Sequence, residues 1–143
     1  MALPLSGVRV LDLTNIIAGP LCSHQLATLG AEVIKIEVPG TGDLARKMGA
    51  DPGLGAKLMG ASFLALNAGK KSLTLNLKKR RGKDVFLRLA RDTDVVLENF
   101  RPGAMKKLGL DYPALKAVNP GVVYCAVSGF GQAGPLAQRP SCA

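Results

Sequence analysis

The chain is predicted to be α/β: a Rossmann-like parallel sheet with helices on both faces. Three observations predict it. Short β-branched runs alternate with stretches of helical apolar spacing along the whole length, the pattern of parallel strands joined by crossover helices. Gly- or Pro-containing segments punctuate those runs. The 143 residues are 48% hydrophobic and only 20% charged, enough apolar surface for a covered sheet and too much for a disordered chain. This length fits about one domain.

Each element has its own warrant. Val8-Arg9-Val10-Leu11-Asp12-Leu13 begins with alternation and predicts a first strand, followed by a turn at Ala18-Gly19-Pro20. Leu21, Leu26 and Leu29 share helical spacing, and Gly30 is placed to stop that helix. Val33 to Val38 predicts a second strand closed by Pro39-Gly40, completing a β-α-β unit. Residues 39–61 are rich in Gly and Pro, which predicts a long loop with one short helix around Leu44 to Met48. Ser72 to Leu77 alternates strictly as a third strand, and Gly82 to Arg91 places Val85, Phe86, Leu89 and Ala90 on one helical face. Asp94 to Glu98 is a fourth strand, Pro113 to Val118 a short helix, and Val122 to Val127 a fifth strand.

Ligands of such sheets gather beyond the carboxyl ends of the strands. Here those ends are Thr14 to Pro20, Pro39 to Asp43, Glu98 to Gly103 and Ser128 to Pro135.

Composition narrows the function classes. The start carries no basic segment leading into a long apolar core, and no apolar run approaches the roughly 20 residues of a spanning helix. A cytoplasmic protein with no membrane partner is expected. Cys22, Cys125 and Cys142 are odd in number without CxxC spacing, and His24 is the only histidine, which opposes a disulfide framework and a metal site. Cys22 reads as a small buried residue and His24 as structural. The formal net charge of +9 is uneven: residues 1–43 carry −2 and residues 44–143 carry +11. That suits an anionic partner such as nucleic acid, an acidic membrane or a phosphorylated cofactor.

Four motifs are open to two readings. Gly40-Thr41-Gly42-Asp43-Leu44-Ala45 satisfies G-x-G-x-x-A, the form of a pyrophosphate loop, but it follows the second strand and lacks the acidic residue about 20 positions on. The basic run Lys78-Lys79-Arg80-Arg81-Gly82-Lys83 reads first as a solvated helix start, and it has no aromatic residue to stack a base, which opposes nucleic acid. Asn67-Ala68-Gly69-Lys70-Lys71-Ser72 is either a turn with two exposed lysines or a phosphate or carboxylate contact. The loops Glu98 to Gly103 and Ser128 to Pro135 are either ordinary turns or a cofactor wall, with Phe100 against an adenine ring and glycine backbone facing an acyl oxygen.

In order along the chain stand Leu11-Asp12-Leu13-Thr14 with Ala18-Gly19-Pro20, Leu29 to Glu37 with Pro39-Gly40 and Gly42-Asp43, and Asn67 with Lys70-Lys71-Ser72. Glu98 to Gly103 with Leu108-Gly109, and Ser128 to Gln132 with Gly134-Pro135, follow. Together these five blocks strongly resemble the amino-terminal part of the family III CoA-transferases, which include formyl-CoA transferase, carnitine CoA-transferase and the related α-methylacyl-CoA racemases.

The resemblance implies a Rossmann-like large domain, here incomplete over residues 1–143, a small domain later in the chain, and an interlinked homodimer. It implies transfer of CoA between an acyl-CoA and a carboxylic acid acceptor through an aspartyl intermediate, which is nucleophilic catalysis. By position it assigns Ile16, Ile17 and Ala18 to the thiol arm of coenzyme A, and Leu75 and Lys78 to the adenine side and a phosphate. It assigns Asn99 and Phe100 to the pocket wall and Lys107 to the neighbourhood of the 3′-phosphate.

Relatives often carry Arg where this chain has Val38, and a more polar centre in the Asn67 to Lys70 segment. The resemblance also puts the catalytic aspartate where the sequence reads Ala143, so no catalytic residue is assigned and the chain is expected to be inactive alone. Glu98-Asn99-Phe100 favours a transferase over the alternative of a racemase fragment. A stand-alone module that binds CoA or a nucleotide is the other alternative.

Overall fold

The computed structural model describes residues 2–139. Cys142 and Ala143, on which two of the expectations above rest, lie outside the described residues.

Five strands form one sheet: β1 (Arg9–Asp12), β2 (Glu32–Glu37), β3 (Lys71–Thr74), β4 (Val95–Glu98) and β5 (Val123–Ala126). Every pair is parallel, in the order β3-β2-β1-β4-β5. The chain moves outward from β1 to β3 and then crosses to β4 on the other side of β1. The topological switch point therefore lies between β1 and β4, where the connections diverge and leave a crevice at the carboxyl edge.

Helices cover both faces. Leu11, Leu13, Ile36 and Val96 pack against Phe86 and Ala90 of α4 (Arg80–Ala90), Met105 of α5 (Ala104–Leu108) and Leu115 of α6 (Tyr112–Val118). On the opposite face Val10 and Val33 meet Leu26 and Ala27 of α1 (Ala18–Thr28). Each fully buried side chain of this kind contributes about 1.5–3 kcal/mol. Period two then carries Asp12, Lys35 and Glu37 onto the α1 face, because they follow Val10 and Val33 by even steps.

Three expectations are corrected. The helix after β1 starts at Ala18, so the Ala18-Gly19-Pro20 segment is its first turn rather than a preceding one. Proline is tolerated there because a first-turn N–H has no partner within the helix. The short helix expected around Leu44 to Met48 is present, but residues 39–61 are otherwise not one loop. They hold a 3-10 turn (Leu44–Lys47), then α2 (Pro52–Ala56), and α3 (Ala61–Asn67) begins at their end and packs beside α1. Asp51 starts α2 by accepting from the N–H groups of Gly53 and Leu54 at 2.7 and 3.2 Å, with Pro52 behind it. Gly60 is demanded by close packing: a Cβ there would stand 2.4 Å from the Met48 carbonyl oxygen. Finally, Cys22 is exposed on α1 and is not a buried residue.

Candidate functional site

The site is built on the carboxyl edge around the switch point. Asn99, the first residue past β4, accepts the Asn15 N–H at Oδ1 and donates from Nδ2 to the Asn15 carbonyl, both at 2.9 Å. Its side chain copies a strand's donor and acceptor, so it pins the loops after β1 and β4 together. The Phe100 N–H donates to Glu98 Oε2 at 2.7 Å, while Tyr124 Oη donates to Glu98 Oε1 at 2.9 Å. Glu98 is buried with no cation within ion-pair distance among the described residues. Burial pushes its carboxyl up, against the pull of the Phe100 amide and the Tyr124 hydroxyl. The Tyr124 hydroxyl is raised by burial and by the same carboxylate.

Phe100 faces a cleft of about 340 Å³ lined also by Leu13, Val38, Leu75, Lys78 and Leu108. The lining is mostly apolar, and Lys78 is its only cationic residue. Glu37, also on the rim, is buried and neutralised. Burial alone would raise its carboxyl, yet hydrogen bonds from both Arg46 guanidinium arms, the Asp43 N–H and the Ser72 hydroxyl outweigh that and hold it at about 2. Arg46 in turn lies 3.7 Å over the Phe63 ring, fixing α3 to this corner.

Beneath the loop after β1 lies a buried ionic cluster that sequence reasoning did not identify. Lys35 Nζ donates to the Thr14 carbonyl at 2.7 Å and stands 2.9 Å from Asp43 Oδ2, an ion pair off the hydrogen-bonding direction. Lys70 Nζ meets Asp12 Oδ2 and the Pro20 carbonyl at 3.0 Å, and Ser23 Oγ and Asn67 Oδ1 at 2.7 Å. Both lysine side chains are 1% exposed and both aspartates 0%. Burial pulls the Lys70 ammonium down from its ordinary range, opposed mainly by Asp12. Neither reading of the Lys70-Lys71 pair holds for both residues: Lys70 is a buried structural cation, whereas Lys71 is exposed and pairs with Glu32. The signal was present in the sequence, since Asp12 and Lys35 interrupt otherwise apolar strands of a sheet covered on both faces.

Asp43 links this cluster to the loop after β1. Its Oδ1 accepts the Ala45 N–H at 2.9 Å, capping the 3-10 turn, and the Ile16 N–H at 3.0 Å. The G-x-G-x-x-A segment is thus organised around its own aspartate. Ile16 has φ 73°, a left-handed conformation that a β-branched residue reaches only under strain. One turn on, Gly19 packs so tightly that a Cβ would come within 2.3 Å of Thr14 Cβ.

The eight residues assigned by resemblance separate into groups. Leu75, Lys78 and Phe100 line one cleft. Asn99 and Phe100 line a neighbouring cavity of about 160 Å³ with Arg101, Ser128, Phe130 and Arg139. Ile16, Ile17 and Ala18 form the strained loop and the start of α1, with Ile17 and Ala18 exposed. Lys107 is exposed on α5 and lines neither cavity. His24 is structural: Nδ1 lies 3.2 Å from the Ala68 carbonyl, tying α1 to the end of α3. A wider opening of about 550 Å³ sits at the amino edge among Arg9, Glu32, Asp92 and Asp94, at the wrong end of the sheet for the crevice. Among the described residues no group of three His, Cys, Asp or Glu is placed to hold a metal ion, and no helix is long and apolar enough to cross a membrane.

Known proteins share this arrangement. The sequence profile of CoA-transferase family III matches residues 5–142. The succinate–glutarate CoA-transferase of Agrobacterium fabrum is 44% identical over 94% of this chain and 34% of its own length. The acetyl-CoA:oxalate CoA-transferase of Acetobacter aceti is 46% identical over 96% and 34%. Among solved structures, a hypothetical protein of Mycobacterium tuberculosis superposes with a TM-score of 0.88 at 47% identity, covering 99% of this chain and 38% of that one. A CaiB/BaiF family protein of Brucella suis gives 0.85 at 39% identity, covering 97% and 37%. The chain spans about a third of the length of the relatives it matches. With its parallel sheet, its switch-point crevice and a profile match over nearly every residue, the chain belongs to CoA-transferase family III.

Proposed function

We propose that this chain is the CoA-binding part of a family III transferase that moves CoA between an acyl-CoA and a carboxylic acid. The observation that carries the reading is the cleft of about 340 Å³ at the carboxyl edge, in which Leu75 and Lys78 of the β3–α4 connection meet Phe100 of the loop after β4. Leu75 and Phe100 offer apolar surface suited to an adenine ring, and Lys78 offers a point charge for a phosphate. Val38 lines the same cleft without charge, so the phosphate contact that the resemblance puts at that position falls to other residues, Lys78 first. The thiol arm runs toward Ile16, Ile17 and Ala18, and Lys107 approaches the 3′-phosphate from α5.

Coenzyme A supplies the thioester. The residues of the carboxyl edge bind and orient it, and the resemblance puts the family's nucleophilic aspartate at the position of Ala143, so this chain is proposed to bind without transferring. The named relatives act on succinate, glutarate and oxalate, which points to a small dicarboxylate as the acid partner. A homodimer in the cytoplasm is part of the same proposal; exposed Ile17, Leu21, Val123 and Phe130 supply apolar surface for a partner. Calorimetric titration tests the reading: micromolar to millimolar CoA binding that weakens about tenfold in Lys78→Glu is expected, by the arithmetic of 1.4 kcal/mol per decade. Binding of a short oligonucleotide in preference to CoA overturns it.

A further inference from the structure

We infer that Asp43 is a positioning residue for the loop that carries Ile16, Ile17 and Ala18, acting through the Ile16 amide rather than by touching the ligand. The inference rests on the proposal that this loop meets the thiol arm of CoA.

Four observations support it. Ile16 holds a left-handed backbone that a β-branched residue does not adopt unaided, so something outside the loop must fix it. Asp43, 27 residues away in sequence, accepts the Ile16 N–H at 3.0 Å. Asp43 is itself immobilised: it is 1% exposed, its Oδ1 also takes the Ala45 N–H, its N–H donates to Glu37 Oε2 at 2.9 Å, and its Oδ2 pairs with Lys35. Lys35 closes the circuit by donating to the Thr14 carbonyl, two residues before Ile16. The loop after β1 is therefore clamped at two backbone points by one aspartate–lysine pair, whose anchoring residues sit on or just after β2.

Such a clamp has a functional consequence. A loop free to relax to φ below zero at Ile16 would turn its amide and the two following residues away from the crevice. Holding it in place lowers the ordering cost of binding the arm, which is preorganisation. The nucleotide end of the ligand, in the cleft of Leu75, Lys78 and Phe100, meets this segment only at Leu13 and Asn15, before the clamped Ile16.

That separation supplies the test. Two double variants avoid leaving a buried lysine unpaired: Lys35→Met with Asp43→Ala, which removes the acceptor, and Lys35→Met with Asp43→Asn, which keeps an amide oxygen in its place. Each is titrated with CoA and with adenosine 3′,5′-bisphosphate, the nucleotide end alone. The alanine form is expected to bind CoA about tenfold more weakly than the asparagine form, with less than about a twofold difference for the bisphosphate. Equal losses for both ligands, or equal CoA affinity in the two variants, overturn the inference. Should either variant fail to fold by circular dichroism, amide exchange in the unaltered chain decides: an Ile16 N–H protected well beyond that of exposed Ala18 supports the clamp, and an unprotected one removes it. Failure of the unaltered chain to bind either ligand sinks the proposed function itself, together with the inference that depends on it.

Discussion

Glu37 and Glu98 occupy equivalent places on opposite sides of β1, each the last residue of its strand and each buried, yet their surroundings differ in kind. Glu37 receives Arg46, a serine hydroxyl and a backbone amide, and its neighbourhood continues into the Asp43–Lys35 and Asp12–Lys70 pairs. Glu98 receives one amide and one phenol and faces no cation among the described residues. The lesson is that the β1–β3 side fixes its loops with ion pairs, whereas the β4–β5 side fixes them with hydrogen bonds from uncharged donors. The first gives a rigid mount for the loop at Ile16. The second leaves Phe100 as a wall shared by two cavities.

The sharpest way to break this contrast is to remove a cation from the charged side. Lys70→Ala takes away the nearer cation of buried Asp12, leaving it Lys35 at 3.9 Å, and is expected to lower stability by about 3 kcal/mol in urea unfolding, the cost of breaking a buried pair. Glu98→Gln on the other side leaves no cation unpaired and is expected to cost less than about 1 kcal/mol. Comparable losses from the two would erase the distinction.

Acid provides the next largest effect, with opposite signs on the two sides. Glu37 is depressed from 4.5 to about 2, so its contribution is present above the unfolded value and lost as pH falls from 4.5 through about 2. That loss is on the order of 3 kcal/mol, and Glu37→Gln should flatten the acid limb of the stability curve. Glu98 is raised, so its protonated form is favoured in the fold: stability from this group is present below the unfolded value and lost as pH rises through the folded one. Glu98→Gln should remove that opposing slope in the same titration.

A similarly small change is expected for Tyr124→Phe. It deletes one hydrogen bond to Glu98, worth about 1 kcal/mol, and should move the Glu98 carboxyl further up in a carbon-13 titration. An unmoved carboxyl would mean that the phenol is not its partner in solution.

Much of the fold was legible because a parallel sheet writes itself as β-branched runs separated by helical spacing. All five strands, α1, α4, α6 and the four loops of the carboxyl edge follow from that. Residues 39–67 were not legible in the same way. Gly60 looks like loop freedom in sequence and is a close contact in the fold, and the stop-and-start pattern of Asp51-Pro52 caps a helix of only five residues. In the site, Asn99 and Phe100 were expected as a wall and both line the smaller cavity; the bridge from Asn99 to Asn15 was not legible. Lys70 and Lys71 are adjacent and identical in chemistry, so nothing local separates the buried one from the exposed one.

What the sequence determines alone is the period of each element, which depends on neighbours two to four residues apart, and, through the alternation of strands with helices, the parallel sheet and the edge where ligands gather. Which charges are buried, and against whom, only the tertiary structure decides. Asp12 meets a lysine 58 residues away, and Asp43 an amide 27 residues away. A buried ion pair is stable only when its geometry repays the lost hydration, and that geometry exists only once β1, β2 and the loops above them have come together.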